Sequence, residues 1–391
     1  IRDRYRERQK NQARRCGGHP RHRLYHTAMK IERMGIDAYR NLEHLVLDFD
    51  DVNVIYGENA QGKTNLIEAV YLFTGAKSFR GARDSELVQF GKEQAQLQIH
   101  FVSGNRPQTA MLQIKKRRSA TLNGIAKTSA AALGEEIKAV VFSPAHLTMI
   151  KDGPAERRKF LDLALCQIRT GYKKLLSDYN RSLAQRNMLL RDIAAGKMSA
   201  DTLFIWDGNL ARAGAKIIYQ RRAYVAALEE PLSRIHTGLS SGREQIGARL
   251  QGAFDYGDLA VEELERRLLS LLESARSEDI YHRATTVGPH RDDLDITLNG
   301  ISARKYGSQG QQRSCVLSLK LAEAEILQQK TNEAPIALLD DVMSELDEGR
   351  QDYILNHMKG MQLFITCCDA GTILRGTRGK TFHIENGKVV N

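Results

Sequence analysis

The chain has 391 residues, of which 42% are hydrophobic and 27% are charged, and its formal net charge is +11. This length accommodates one large domain with an insertion or two domains, and the composition is that of a globular protein rather than a disordered or fibrous one. Because no apolar run approaches the length of a membrane span, no signal sequence is evident and the five cysteines form no CxxC pair, we expect a cytoplasmic protein with no membrane anchor, zinc site or disulfide framework.

The positive charge is concentrated at the beginning of the chain. Residues 1–28 contain nine Lys or Arg and two Asp or Glu, so they carry +7 of the total and leave only +4 for residues 29–391. This segment has no apolar periodicity, which predicts a disordered basic leader or translated upstream sequence rather than a DNA-binding arm. Nucleic-acid binding therefore has to be inferred from other residues.

Short strands and one helix are predicted between Met29 and residue 152. Apolar residues alternate with polar ones in six short segments, as expected of half-buried strands, and the helix covers residues 65–73. The predicted strands are residues 30–36, 44–49, 51–56, 94–101, 109–116 and 118–124. We interpret residues 29–152 as the N-terminal part of a nucleotide-binding head that includes an antiparallel subdomain.

A phosphate-binding loop lies between the third strand and the helix. The segment GENAQGKT matches the pattern GxxxxGK followed by Ser or Thr. Its glycines let backbone N–H groups point at phosphate oxygens beside a helix N-terminus. Lys63 can place a charge on the β and γ phosphates of a nucleotide, and the Thr64 hydroxyl can ligate Mg²⁺. The predicted nucleotide-binding residues are Gly57, Glu58, Asn59, Ala60, Gln61, Gly62, Lys63 and Thr64.

The middle of the chain, residues 153–276, has mostly helical apolar spacing. We interpret it as a helical lobe inserted into the head. Strand and helix patterns alternate again in residues 277–391, which end in a predicted hairpin with an Asn-Gly turn. Residues 29–152 and 277–391 are therefore expected to close into one α/β head, from which the lobe projects.

The stretch YGSQGQQR, residues 306–313, precedes an amphipathic helix over residues 314–327. Considered alone, it is most simply a flexible turn that leads into a helix, because glycine and serine are common loop and cap residues.

The strand IALLDD, residues 336–341, predicts the second half of the nucleotide site. Its four apolar residues indicate a buried strand, so Asp340 emerges at the carboxyl edge of a parallel sheet, where nucleotides bind. Asp340 is expected to hold Mg²⁺ together with Thr64, and Asp341 to orient or deprotonate the attacking water. Without the phosphate-binding loop, the two aspartates would be read as a turn and helix cap.

The order of these motifs resembles that of ABC-type ATPases, and more narrowly the RecF family of bacterial DNA repair ATPases. The resemblance covers essentially all of residues 29–391. The matching blocks are YRNLE, GENAQGKTNLIEAVY, GPAERRKFLD, VGPHRDDLDITLNG, YGSQGQQR and LLDDVMSELD. The 277 positions between Lys63 and Asp340 exceed what a compact transporter head needs and fall far short of a chromosome protein with long coiled-coil arms.

The resemblance implies a fold and a set of site residues. The fold would be an ABC-type head with a P-loop NTPase core, an antiparallel β subdomain and an inserted, mostly helical lobe. YGSQGQQR would be the signature motif, acting in trans on ATP bound by the opposite subunit, and Arg40 and Asn41 would join the nucleotide-binding residues. Asp341 stands where transporters have glutamate, and no histidine is assigned to catalysis. The signature residues would be Ser308, Gln309, Gly310 and Gln311.

The function implied by the resemblance is ATP-dependent DNA binding in repair. The protein would form a homodimer on ATP, bind DNA at gaps or junctions of single and double strands, hydrolyse ATP slowly, and help RecO and RecR to load the recombinase RecA. Two alternatives remain at this stage: an energising subunit of a transporter, and a non-hydrolysing module that senses ATP. VGPHRDDL has no chemical role that the sequence reveals.

Candidate DNA contacts are few. No zinc finger, basic zipper or recognition helix is evident, so phosphate contacts are expected rather than base readout. The basic run Lys115, Lys116, Arg117 and Arg118 lies between two predicted strands, where either a DNA-facing hairpin tip or a solvated turn explains it. Weaker candidates in the helical lobe are Lys173, Lys174, Arg221 and Arg222.

Overall fold

Residues 27–369, 371 and 379–390 are described by a computed structural model. Residues 1–26 of the predicted basic leader lie outside this range. Thr27–Ala28 form a short strand, β1, that pairs in parallel with β13, Glu333–Ala334. The predicted boundary after residue 28 therefore differs from the structure, because two residues assigned to the leader belong to the folded head.

A six-stranded sheet forms the centre of the predicted nucleotide-binding head. Its neighbouring strands are parallel, except for the antiparallel pair at the C-terminal hairpin. All five residues of β14 and of β15 are buried, which explains their continuous apolar sequences. The spatial order is β17 (Lys388–Val390), β16 (Lys380–Glu385), β4 (Val52–Tyr56), β15 (Leu363–Cys367), β14 (Ile336–Asp340) and β9 (Ala139–Phe142).

A second, antiparallel sheet covers the other side of helix α1, Lys63–Leu72. Buried residues of its strands mostly alternate with partly buried ones, in line with the period of two that the sequence predicted. One core cluster joins the two sheets through α1, since it contains Leu66 together with Leu97 of this sheet and Phe364 of the central sheet. The spatial order is β3 (Leu42–Asp48), β2 (Lys30–Tyr39), β5 (Ala95–Ser103), β6 (Arg106–Ile114), β7 (Arg118–Leu122) and β8 (Ile125–Ala126).

Helices dominate the segment that was predicted as a lobe. The longest has 37 residues and is therefore about 55 Å long at 1.5 Å per residue. Helix α2 (Pro144–Leu147) precedes this segment, which contains α3 (Pro154–Ile168), α4 (Tyr172–Ala194), α5 (Leu203–Leu239), α6 (Val261–Ser274) and the first residue of α7 (Arg276–His282). Short 3₁₀ helices cover Asp84–Leu87, Ala130–Glu135, Ala200–Thr202 and Met343–Glu345.

The lobe is not purely helical, and it does not end at residue 276. Strand β10, Ile246–Gln251, pairs with β11, Asp293–Leu298, which continues into β12, Ile301–Ser302. Most residues of β10 are only partly buried, so the strand lacks the clear alternation that reveals a strand in sequence. The lobe and the head also share a core cluster, which contains Leu210 and Ile235 as well as Leu339.

The segment VGPHRDDL, residues 287–294, joins the lobe to β11. Arg221 donates to Pro289 O at 2.6 Å, and the Tyr256 hydroxyl donates to Asp292 Oδ1 at 2.6 Å. His290 Nδ1 lies 2.7 Å from the Tyr179 hydroxyl. Burial raises the pKa of Asp292 to about 6. The motif is thus packed against α4, α5 and Tyr256 of the lobe, which the sequence alone did not indicate.

Three helices complete the C-terminal part of the head. They are α8 (Ala303–Tyr306), α9 (Gln309–Thr331) and α10 (Glu348–His357). Helix α9 begins five residues before its predicted start and is buried over most of its length. Among the described helices, none combines the length and the hydropathy that a membrane span requires.

Candidate nucleotide-binding site

The phosphate-binding loop connects the end of β4 to the start of α1. Gly57 and Gly62 have φ of 145° and 117°, values that side chains strongly disfavour. A Cβ on Gly57 would also collide with the Ile384 carbonyl oxygen of β16. Helix α1 begins at Lys63, so the free N–H groups of its first turn lie at the loop, where an anion is favoured.

The Lys63 ammonium lies inside this loop. It donates to the carbonyl oxygens of Gly57 at 2.5 Å and Glu58 at 2.9 Å, and only 6% of the residue is exposed. The cation is therefore already held on the concave side of the loop. The Lys63 side chain would therefore need to move little to contact a phosphate bound in the loop.

Thr64 and Asp340 meet where α1 faces the carboxyl edge of the central sheet. Thr64 Oγ1 donates to Asp340 Oδ1 at 2.8 Å, and Thr366 Oγ1 of β15 donates to the same oxygen at 3.0 Å. Burial raises the pKa of Asp340, the two hydroxyl donors act in the opposite direction, and the adjacent Asp341 raises it further. A bound cation would favour the charged carboxylate. Hydroxyl and carboxylate oxygens are the ligands that Mg²⁺ prefers, so this pair fits the predicted metal site.

Asp341 follows directly, in a left-handed backbone conformation with φ of 55°. Its N–H donates to Thr366 Oγ1 at 2.8 Å, and its carbonyl accepts from Ser344 Oγ at 3.0 Å. The residue is only partly buried. Its backbone is thus held on both sides, and its carboxylate Oδ1 accepts from Ser344 Oγ at 3.4 Å. The role of a general base stays a prediction.

Arg40 and Asn41 support the loop from the antiparallel sheet. Arg40 forms a two-pronged ion pair with the buried Glu68 of α1, at 2.5 and 3.0 Å, and 18% of its side chain is exposed. Asn41 Nδ2 donates to Gln61 O at 2.9 Å, and Asn41 Oδ1 accepts from Asn65 at 2.7 Å. Both residues therefore position the loop and α1. Direct contact with nucleotide remains a prediction.

Sequence reasoning missed a second support of the loop, the turn of the C-terminal hairpin. Asn386 N donates to Gln61 Oε1 at 2.6 Å, and Gly387 N donates to Gln61 O at 3.0 Å. Gly387 has φ of 74°, and a Cβ there would collide with Asn41 O. The Asn-Gly pair did signal a turn, but nothing local indicated that the turn rests on residue 61.

The stretch YGSQGQQR forms the start of α9. Ser308 is the N-cap: its Oγ accepts from Gln311 N at 3.3 Å, and Gln311 Oε1 accepts from Ser308 N at 2.8 Å, which completes a capping box. Ser308, Gln309 and Gly310 are exposed. In the described part of the chain, no hydrogen bond or ion pair connects residues 306–313 to residues 57–64. The helix N-terminus is thus open to an anion from outside its own chain.

The basic run 115–118 divides into two parts. Lys115, Lys116 and Arg117 are exposed at the tip between β6 and β7. Arg118 instead begins β7, donates to Ala76 O at 2.7 Å and pairs with Asp84 at 3.0 Å, with 8% of its side chain exposed. Arg118 is therefore turned into the protein rather than toward a duplex, which corrects its grouping with the other three.

The weaker candidates in the lobe are mostly engaged elsewhere. Arg221 is buried and pairs with Asp162 at 2.9 Å, so it belongs to the core of the lobe. Lys173 donates to Gly75 O at 2.7 Å, and Arg222 donates to Gly257 O at 2.6 Å. Lys174 is exposed and pairs with Asp178 at 2.7 Å.

Known proteins resemble this chain over nearly its whole length. The family model described as the RecF/RecN/SMC N terminal domain matches residues 30–389. The chain is 40% identical over 366 residues to the DNA replication and repair protein RecF of Agathobacter rectalis, which covers 92% of this chain and 99% of that protein. It is 38% identical over 368 residues to the RecF protein of Bacillus mycoides, which covers 92% and 98%.

Solved structures show the same likeness. The recombination mediator protein RecF with ATP, described as part of the RecFOR pathway, matches with a TM-score of 0.87 and 36% identity, covering 94% of this chain and 99% of that chain. An Smc head bound to the C-winged helix domain of ScpA matches with a TM-score of 0.52 at 17% identity over 92% and 96%, a likeness of fold alone. These matches confirm the fold class expected from the sequence, a head with an inserted helical lobe.

Proposed function

The chain belongs to the RecF family, and on that premise we propose that it is a cytoplasmic, ATP-driven DNA repair protein that forms a dimer on ATP and clamps DNA. The observation that carries this proposal is the contact of Thr64 with Asp340 at 2.8 Å, beside Lys63 and its loop. It brings the two halves of a nucleotide site together from distant parts of the sequence. A RecF protein of 36% identity has been solved with ATP, which supports ATP as the nucleotide.

The nucleotide would be bound mainly by groups that are already in place. The loop N–H groups and Lys63 would hold the phosphates, and Thr64 and Asp340 would hold Mg²⁺, which neutralises phosphate charge when bound. Asp341 would orient a water molecule toward the γ phosphate and accept its proton. Asp341 has a shorter side chain than the glutamate that transporters have at this position, which is consistent with slow hydrolysis. We propose that hydrolysis depends on DNA and that the protein acts as a conformational switch rather than as a fast enzyme.

The signature motif would complete the site of the opposite subunit. The capped N-terminus of α9 presents Ser308 and the N–H groups around Gly310 to solvent. An anion is stabilised there by the helix dipole and by unpaired N–H donors. A γ phosphate held by the partner's loop would supply this anion, so ATP would join two heads and its hydrolysis would release them.

DNA would be bound through its phosphates at gaps or junctions between single and double strands. Lys115, Lys116 and Arg117 at the exposed hairpin tip are the candidates for these contacts. Such contacts carry no base information, so binding would be indifferent to sequence and sensitive to salt. Because solved RecF structures are described within the RecFOR pathway, we propose RecO and RecR as partners, with loading of RecA as the outcome.

The two alternatives make different predictions. A transporter subunit would have little reason to respond to DNA, and membership of the RecF family gives it no support. A module that only senses ATP would dimerise without turnover. The test measures light scattering with ATP, ADP or neither, together with ATP turnover with and without gapped DNA. We expect a dimer with ATP only and turnover stimulated by DNA. Failure to dimerise with ATP would contradict the proposal.

A further inference from the structure

A series of hydrogen-bonded side chains connects the signature motif to the long lobe helix α5. It begins at Gln311, whose Oε1 accepts from Ser308 N at 2.8 Å and whose Nε2 donates to Glu244 Oε1 at 2.8 Å. An amide oxygen can only accept and an amide nitrogen can only donate. With a backbone N–H on one side and a carboxylate on the other, Gln311 is held in one orientation.

Glu244 also contacts a buried histidine, His236. Glu244 Oε2 lies 3.1 Å from His236 Nε2, and His236 Nδ1 lies 2.9 Å from Ser318 Oγ on α9. The His236 side chain has no exposed surface, and burial lowers the pKa of this residue although Glu244 acts in the opposite direction. A neutral imidazole carries one N–H. Because the Glu244 carboxylate can only accept, that proton belongs on Nε2, while the Ser318 hydroxyl donates to Ser314 O at 2.9 Å.

This series of contacts joins α5 and α9, which are distant in sequence. His236 lies near the C-terminal end of α5, Glu244 lies in the turn that follows, and Gln311 and Ser318 lie on α9. Helix α5 packs against α9, and a second tie joins them farther along, where Arg234 pairs with Glu325. The N-terminus of α9 is therefore held from α5, a continuous helix of the lobe.

We propose that Glu244 and His236 are positioning residues for the signature motif, through which the lobe sets the orientation of Ser308 toward nucleotide on the opposite subunit. This inference rests on the proposed function, because it needs a signature that acts in trans. A capping box can form without Glu244. However, Gln311 would then lose its outer partner, and the exposed cap would have to be ordered during dimerisation, which weakens the dimer.

The first test compares Glu244→Ala with Glu244→Gln. We expect Glu244→Ala to keep the ATP affinity of the monomer within about twofold and to weaken ATP-driven dimerisation about tenfold, the order expected for one lost charge-assisted hydrogen bond. Glu244→Gln should restore dimerisation in part, because its amide oxygen can still accept from Gln311, although the charge is lost and its amide nitrogen faces His236 Nε2. Glu262→Ala, which removes an exposed carboxylate from α6, is the matched control and should dimerise normally.

Mixed dimers give the sharper readout. Glu244→Ala mixed with Lys63→Met has one composite site with a sound loop and a sound signature, so turnover should recover. Glu244→Ala mixed with Ser308→Arg has a damaged signature in both sites and should not recover. A thermal melt of each variant checks that the fold is retained. If Glu244→Ala unfolds, Gln311→Ala can replace it as the test variant, because it removes the same contact from the other side and should show the same dimerisation defect.

Two results would overturn the inference while leaving the proposed function intact. One is normal dimerisation of folded Glu244→Ala. The other is absence of recovery with Lys63→Met under conditions in which the mixture of Ser308→Arg and Lys63→Met does recover. If that reference mixture also fails, the signature does not act in trans, and the proposed function falls together with this inference.

Discussion

Thr64 and Asp340 are 276 positions apart in the sequence, yet Thr64 Oγ1 donates to Asp340 Oδ1 at 2.8 Å. The contact exists because β4 and β14 are both parallel neighbours of β15 in one sheet, so they end at the same edge. The loop follows β4, and β14 ends at Asp340.

Lys63→Met should abolish ATP binding or reduce turnover by at least about a hundredfold, because the side chain keeps its length but loses the charge on the phosphates. Calorimetric titration with ATP and a turnover assay measure both effects. Lys92→Met, at an exposed lysine in a loop, is the control. Unchanged binding and turnover in Lys63→Met would contradict the assignment of the phosphate-binding loop.

Asp340→Asn and Asp341→Asn should separate metal binding from hydrolysis. Asp341→Asn should bind ATP normally and slow turnover by about a hundredfold or more, since its carboxylate would act on water. Asp340→Asn should lose the gain in ATP affinity that Mg²⁺ provides, because a neutral amide is a poor ligand for Mg²⁺. ATP titrations with and without Mg²⁺ check this, and loss of binding in Asp341→Asn would move that residue to the metal site.

Ser308→Arg should leave ATP binding by the monomer nearly intact and block ATP-driven dimerisation, because a bulky side chain would fill the space of the partner's phosphate. Sizing by light scattering with ATP measures this. Mixed with Lys63→Met, it should recover some turnover from the one whole composite site. If Ser308→Arg dimerises normally with ATP, the signature interpretation is wrong and the stretch is only the capped start of α9.

Replacing Lys115, Lys116 and Arg117 together by Ala should weaken DNA binding and reduce the slope of log affinity against log salt by about 2 to 3, since each lost phosphate contact releases about one counterion fewer. Arg118→Ala should instead lower thermal stability with little change in this slope, because its guanidinium is held by Asp84 and Ala76 O. An unchanged salt slope in the triple variant would exclude the hairpin tip as a DNA contact.

Asp292 should make the protein less stable as pH rises from about 4 to about 6. Its pKa is raised from 3.8 to about 6 by burial in the folded protein, so the folded state binds more protons than the unfolded state in this range. The stabilising contribution is therefore full below the unfolded pKa and is lost as pH passes the folded pKa. The effect is about 3 kcal/mol at most, by 1.36 kcal/mol per pKa unit.

Denaturant titrations across this pH range check the effect. Asp292→Asn can still accept from the Tyr256 hydroxyl and should flatten this part of the pH dependence, whereas Asp258→Asn, at an exposed aspartate, should not. Parallel pH profiles for wild type and Asp292→Asn would show that Asp292 is ionised without cost.

The sequence alone determined the features that depend on neighbours along the chain. The GxxxxGK pattern followed by Thr64 predicted a glycine-rich loop between a strand and a helix, and the structure has it, because the backbone conformation depends on glycines at set spacings. The continuous apolar run of β14 indicated a buried parallel strand, because strands covered on both faces need no polar alternation. The resemblance to the RecF family rested on such local motifs, and it is confirmed.

The tertiary structure alone decided which distant side chains meet. Thr366 shares Asp340 with Thr64, the turn at Gly387 supports Gln61, and Glu244 holds Gln311. In each case the packing of the two elements does not depend on the polar residues that meet. No local sequence pattern therefore predicts the contact. Strand β10 was missed for a related reason: its residues are only partly buried, and its pairing with β11, rather than its own sequence, makes it a strand.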